Sequence, residues 1–118
     1  MLCVDDEQLG LEVRRMVLEH AGYRVLTAET GLEGLALHRE EQVEAVILDY
    51  AMPEMNGAEV AARMRAEKPE VPILLLSAYI EFPADIHALV NSKMTKGEGA
   101  PSMLEKLRVL LAPRAVAI

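Results

Sequence analysis

Short runs of apolar and β-branched residues recur along the chain as LCV (2–4), RVLT (24–27), AVIL (45–48) and PILLL (72–76), and their lengths predict strands. A fifth run, KMTK (93–96), is short and half charged; it is assigned as a strand because the neighbouring pattern calls for one. Helical spacing fills the intervals. Leu9, Val13, Met16 and Val17 recur every three or four residues and predict one apolar stripe on a first helix that Gly22 ends. Thr30 and Glu33 have the spacing of a capping box and open a second helix through Leu32, Leu35 and Ala36. A third begins near Asn56 or Gly57, buries Val60, Ala61 and Met64, and stops before Pro69. The last runs from about Pro101 to Pro113 with Leu104, Leu107, Leu110 and Leu111 on one side, while residues 82–90 have room only for a short helix.

Strand and helix alternating five times predict an α/β fold. Its parallel sheet is covered on both faces, which explains why the strand runs are continuously apolar. The expected order is 2-1-3-4-5, with the second strand at an edge. In such doubly wound sheets ligands bind beyond the carboxyl ends of the strands, where strand order reverses. The residues at those ends are Asp5 and Asp6, then Asp49, Ser77 and Lys96. The second strand ends at Thr27 and Ala28 and adds no ionisable group.

Three carboxylates brought together need cations, because two like charges about 4 Å apart repel by roughly 4 kcal/mol at an effective dielectric of 20. Carboxylate oxygens with positions left for water suit Mg²⁺, whose shell a phosphate usually completes. Lys96 adds one fixed positive charge. A site of this kind tolerates a carboxylate nucleophile and attracts a phosphoryl group.

Composition narrows the function further. The chain has 118 residues, 52% of them hydrophobic, which suits one compact domain, assigned to residues 1–112. Residues 113–118 (PRAVAI) read as a tail or the start of a linker. Twelve basic against nineteen acidic residues give a net charge of −7, which argues against a direct grip on nucleic acid. No apolar run approaches 20 residues and no leader pattern is visible, so a soluble, cytoplasmic protein without a membrane span is expected. Cys3, the one cysteine, reads as a small core residue, and the scattered His20, His38 and His87 read as surface positions without metal-ligand spacing. The seven methionines read as gap fillers in the core.

VDDE at 4–7, the pattern D-x-x-M-P-x-x-x-G from Asp49 to Gly57, LLLSA at 74–78 and the later Lys96 together resemble a response-regulator receiver domain of two-component signalling. The resemblance covers residues 2 to about 112 and implies a flavodoxin-like fold. It implies that Asp49 accepts a phosphoryl group from a sensor histidine kinase or phosphotransfer protein. Asp6 would then bind Mg²⁺ or Mn²⁺ directly and Asp5 directly or through water, with Asp49 and the backbone carbonyl of Ala51 completing the protein ligands. Lys96 would pair with the phosphoryl oxygens, and the Ser77 hydroxyl would swing toward them after transfer. Such a domain catalyses only its own phosphorylation and dephosphorylation, and signals to an effector protein or a missing output domain.

Three features depart from that family pattern. Gly97 follows the lysine where the family has proline, Lys93 stands three before it where an aromatic is usual, and Ser77 to Lys96 is shorter than usual by roughly one helical turn. The rival readings are a pseudo-receiver that binds partners without phosphotransfer and a Mg²⁺-dependent phosphohydrolase. The latter lacks a second acid at Ala51. A flavin carrier is weaker, since no Ser/Thr-rich loop follows the first strand.

Overall fold

The computed structural model describes residues 1–78 and 84–112. Five strands, β1 (Leu2–Val4), β2 (Leu26–Ala28), β3 (Val46–Asp49), β4 (Ile73–Ser77) and β5 (Ser92–Thr95), form one sheet in the order β2-β1-β3-β4-β5, and every pairing is parallel. The predicted order and class are found, with strand limits displaced by one or two residues. Four helices connect and flank them: α1 (Gln8–His20), α2 (Gly31–Glu40), α3 (Gly57–Glu67) and α4 (Ala100–Leu111). Among the described residues between β4 and β5 there is one 3-10 segment, Ala84–Ala88, so the short helix expected over 82–90 is one tight turn where it is described; residues 79–83, with Phe82 and Pro83, lie outside the described residues, as do 113–118.

Side chains alternate across each strand, and here both sets are apolar. Leu2, Val4, Val46, Leu48, Ile73 and Leu75 join α2 and α3 in one core cluster, built around Leu35, Val60, Ala61 and Met64. Cys3, Ile47, Leu74, Leu76 and Met94 join α1 and α4 in the other, with Leu11, Leu18, Met103 and Leu107. This two-sided burial is why the strand segments read as unbroken apolar runs.

The helix ends follow local chemistry. Gly22, at φ +99°, closes α1 in a Schellman arrangement: the Tyr23 amide donates to the Leu18 carbonyl at 3.0 Å and the Gly22 amide to that of Glu19 at 3.0 Å. The Thr30 hydroxyl accepts from the Glu33 amide, and the Asn56 side chain from the Glu59 amide, each at 3.0 Å.

Two side-chain expectations are overturned. Leu9, Val13 and Met16 do not face the core; they are 77%, 52% and 61% exposed. The inward face of α1 is the row Leu11, Arg14, Arg15 and Leu18, spaced three, four and seven apart, with the leucines buried and the arginines half-buried. Two charged residues with long apolar stems interrupt that row, so a search for apolar periodicity selects the opposite, wet face. The reading of His38 as a surface residue also fails: its side chain is fully buried, because α2 turns Gly31, Gly34, Leu35 and His38 inward while Leu32 and Ala36 point out. A Cβ on Gly34 would lie 2.8 Å from Val4 Cγ2, which shows how closely the helix sits on the sheet. Neither His38 ring nitrogen has a hydrogen-bond partner among the described residues, and burial followed by the nearby Lys68 charge lowers its pKa.

Candidate functional site

The site is assembled where β1, β3 and β5 end. After β1, the Asp5 amide donates to the Ala28 carbonyl of β2 at 3.0 Å, extending the ladder by one bond. The Glu7 amide donates to Asp5 Oδ1 at 3.0 Å, satisfying a donor at the open start of α1. Asp5 is thereby buried, at 1% exposure, while Asp6 faces solvent. Alternation explains the convergence: Asp5, Asp49 and Lys96 continue the side of the sheet marked by Cys3, Ile47 and Met94, the α1/α4 side.

Asp49 ends β3 opposite Leu76, and the next amide, Tyr50, donates to the Leu76 carbonyl at 2.8 Å. The chain then turns at Pro53 and Glu54, where Glu54 takes φ +68° and the Met55 amide donates to the Pro53 carbonyl at 2.7 Å, the pattern of a γ-turn. It returns so tightly that the Gly57 amide donates to the Tyr50 carbonyl at 2.7 Å. A Cβ on Gly57 would stand 2.6 Å from the Asp49 carbonyl oxygen and 2.8 Å from Tyr50 Cα, which only glycine avoids.

Carboxylate oxygens of Asp5, Asp6 and Asp49 all lie within 4.8 Å of one another. Lys96, the first residue after β5, reaches between them, with Nζ 3.1 Å from Asp49 Oδ1 and 3.3 Å from Asp5 Oδ2. Burial raises the Asp49 pKa to about 6, the Asp5 charge adds to the rise, and Lys96 opposes it. For Lys96 burial works toward a lower value, but the Asp49 and Asp5 carboxylates outweigh it and hold the ammonium charged. An oxygen-only donor set with one exposed member, Asp6, suits a hard divalent cation such as Mg²⁺.

Ser77 is buried at the end of β4, one position beyond Leu76 and opposite Thr95, and it continues the row of Ile73 and Leu75 on the α2/α3 side. Ala51 is exposed two residues past Asp49. Gly97 sits in a 3-10 turn, Lys96–Glu98, that Glu98 fastens: its carboxylate accepts from the Thr95 amide at 2.7 Å and from the Ser102 hydroxyl at 2.8 Å. Lys93 is half-buried, and its ammonium contacts His87 Nδ1. Cys3 is buried and burial pushes its thiol up to about 12, so it has no thiolate to offer.

One charged group was absent from the sequence reading. The Arg14 guanidinium, from the inward face of α1, pairs with Asp5 Oδ2. Gly10, one turn earlier, lies alongside it: a Cβ there would stand 3.4 Å from Arg14 Nη2, at van der Waals contact. A glycine inside a helix four residues before an arginine on the leucine row was the available signal.

The sequence model of the family described as "Response regulator receiver domain" matches residues 1–107. A Mycobacterium tuberculosis protein named "Probable transcriptional regulatory protein TcrX" is 32% identical over 114 residues, 94% of this chain and 49% of its own length. Escherichia coli GlrR, a transcriptional regulatory protein, is 36% identical over 88 residues, 75% of this chain and 20% of its own. The chain therefore spans about half or less of the length of these relatives. Among solved structures, the Thermotoga maritima response regulator TrrA in complex with Mg²⁺-BeF superposes with a TM-score of 0.88 at 34% identity, covering 93% of this chain and 96% of that one. A CheY-like receiver domain protein from Methanospirillum hungatei superposes at 0.87 with 26% identity, over 93% of this chain and 90% of the other. With the whole sheet and the acidic pocket in the matched span, the chain belongs to the response regulator receiver domains of two-component systems.

Proposed function

We propose that Asp49 is the phosphoacceptor of this receiver, taking a phosphoryl group from the phosphohistidine of a sensor histidine kinase or phosphotransfer protein. The observation that carries the reading is Lys96 Nζ lying 3.1 Å from Asp49 inside a cluster of three carboxylates. An Asp49 oxygen forms the new bond to phosphorus as the phosphorus–nitrogen bond of the donor breaks; the imidazole leaves with the electron pair and takes up a proton. Lys96 meets the charge on the phosphoryl oxygens and needs no reorganisation, since it already stands there. Asp6, Asp49 and the Ala51 carbonyl would hold Mg²⁺ or Mn²⁺, with Asp5 directly or through water. The metal supplies neutralisation of phosphoryl charge during transfer. Ser77 would turn its hydroxyl toward the phosphoryl group afterwards. The complex of TrrA with Mg²⁺-BeF, a structure of 34% identity to this chain, supports the metal and phosphoryl part of this assignment.

The exposed Leu9 and Val13 line a groove of about 360 Å³ with Gly10, Lys96 and Met103, and together they offer a donor protein an apolar footing beside the acceptor. Output would pass to a cytoplasmic effector or to an output domain of a longer protein. With Lys93 at the place of the usual aromatic, that output would not use a ring swinging with Ser77. The domain would act only on its own phosphate and would not turn over external esters. Incubation with acetyl phosphate and Mg²⁺, followed by a Phos-tag gel, should retard the chain and leave Asp49→Ala unretarded. Equal mobility of the two would make the chain a binding module without phosphotransfer, and steady release of phosphate from an external ester would make it a hydrolase.

A further inference from the structure

We propose that Arg14 is a built-in counter-ion of the acidic pocket that occupies Asp5 and holds down the pocket's affinity for a divalent cation. This deepens the metal part of the proposed function and rests on it. Both oxygens of Asp5 are engaged: Oδ1 accepts from the Glu7 amide at 3.0 Å, and Oδ2 meets both the Arg14 guanidinium and Lys96, the latter at 3.3 Å. A carboxylate so held stays fixed in orientation, and a metal must share or displace one of these donors to reach it directly. Asp6, which faces solvent, and Asp49, which faces Lys96 alone of the two cations, are less encumbered. Three carboxylates against two cations leave the pocket at −1; without Arg14 it stands at −2.

The arrangement is built in, not a chance surface contact. Asp5 is 1% exposed and the Arg14 side chain 15%, so water screens the pair weakly. Arg14 lies in the inward row of α1 between Leu11 and Leu18, where an apolar residue would fit the helix pattern. A charged residue thus stands on the inward face of α1, and its partner is a carboxylate of the pocket.

The test is a calorimetric titration with Mg²⁺ at pH 8 of the parent chain, Arg14→Met and Arg14→Lys, with thermal melts to establish that each is folded. Arg14→Met should bind Mg²⁺ about tenfold or more tightly than the parent, the size expected from removing one charge near a divalent ion even at the dielectric of water. Arg14→Lys, which keeps the charge, should stay within about threefold of the parent. Equal or weaker binding by Arg14→Met overturns the inference, and so does Arg14→Lys behaving like Arg14→Met, which would assign the effect to packing. The titration does not depend on phosphoryl transfer. Tighter binding by Arg14→Met in a chain that takes no phosphate would sink the acceptor reading and leave this one standing, whereas no binding by parent or variant would sink both.

Discussion

The ends of β1 and β3 and the stretch from Ala84 to Thr95 border the same sheet, yet they are held in different ways. The first is locked by backbone: Gly57 lies against the Asp49 carbonyl, and Asp5 is tied to Ala28 on one side and Glu7 on the other. The second has one 3-10 turn in place of a helix; it is anchored by buried Ile86 and Val90 and by the Asn91 amide on the Ile73 carbonyl where the β5 ladder begins, and one side chain ties its loop carbonyls. The Arg65 guanidinium of α3 donates to the carbonyls of Leu89 at 3.3 Å and Pro69 at 2.8 Å and also contacts Asn91, whose Oδ1 accepts from the Ile73 amide at 2.9 Å. Where charged groups must be kept within a few tenths of an ångström, the backbone itself is fixed. Where the chain only returns to the sheet, two buried side chains and one long arginine hold the approach to the β5 ladder.

Gly57→Ala should break the first region most severely. With backbone atoms at 2.6 and 2.8 Å from the new methyl, something rigid must move, and urea unfolding should show a loss of about 2–3 kcal/mol. Asp49→Asn should act in the opposite sense. The folded protein holds the Asp49 proton more tightly than the unfolded chain does, with a pKa of about 6 against the ordinary 3.8. The metal-free parent therefore bears the full penalty of the charged form above about pH 6, and regains stability as pH falls from 6 toward 4. In EDTA at pH 7 Asp49→Asn should be more stable than the parent by about 2 kcal/mol, with the gap closing by about pH 4. A constant gap would show that burial of the charge is not its cause.

In the second region Arg65→Ala should lower stability by about 1–2 kcal/mol, since it strips partners from the Leu89 and Pro69 carbonyls. Hydrogen exchange should place the loss in Ser92–Thr95, with β1 and β3 protected as before. A uniform loss of protection would mean that the two regions open as one unit. The smallest effects belong to the wet side chains: Leu9→Ser on α1 should stay within about 0.5 kcal/mol of the parent in the same unfolding measurement, because its side chain is already in solvent.

His38 shows how buried ionisable groups differ by purpose. Asp49 has Lys96 beside it, whereas the His38 ring has no hydrogen-bond partner among the described residues. Its pKa is lowered, so the unfolded chain takes up the proton first and this residue withdraws stability as pH drops below about 6.5. That sign is opposite to the one at Asp49. Comparing Asp49→Asn with its parent cancels the histidine and isolates the carboxylate.

The central strands were legible because β1, β3 and β4 are buried on both faces and read as unbroken apolar runs, whereas β5, SKMT, was placed only by its neighbours. The acidic site was legible because a parallel sheet exposes the carboxyl ends of its strands: Asp5 and Asp49 follow runs directly, Asp6 one residue on, and Lys96 closes the last run. Helix caps at Thr30, Asn56 and Gly22 could be anticipated because they depend on neighbours three or four residues away. What could not be read was the rotation of α1 and α2 about their axes. Leu9, Val13 and Met16 make as good a stripe on paper as Leu11 and Leu18 do in the fold.

The order of elements, the sheet's ends and the residues standing on them were determined by the sequence alone, since local periodicity and turn chemistry decide these before any distant contact forms. Which face of each helix turns inward was decided only by the tertiary structure. Arginine stems and glycine gaps, which hydropathy counts as polar or neutral, pack as well as leucine once a sheet face and a carboxylate lie beneath them. That decision put Arg14 on Asp5, buried His38, and left an apolar row in water beside the acidic pocket.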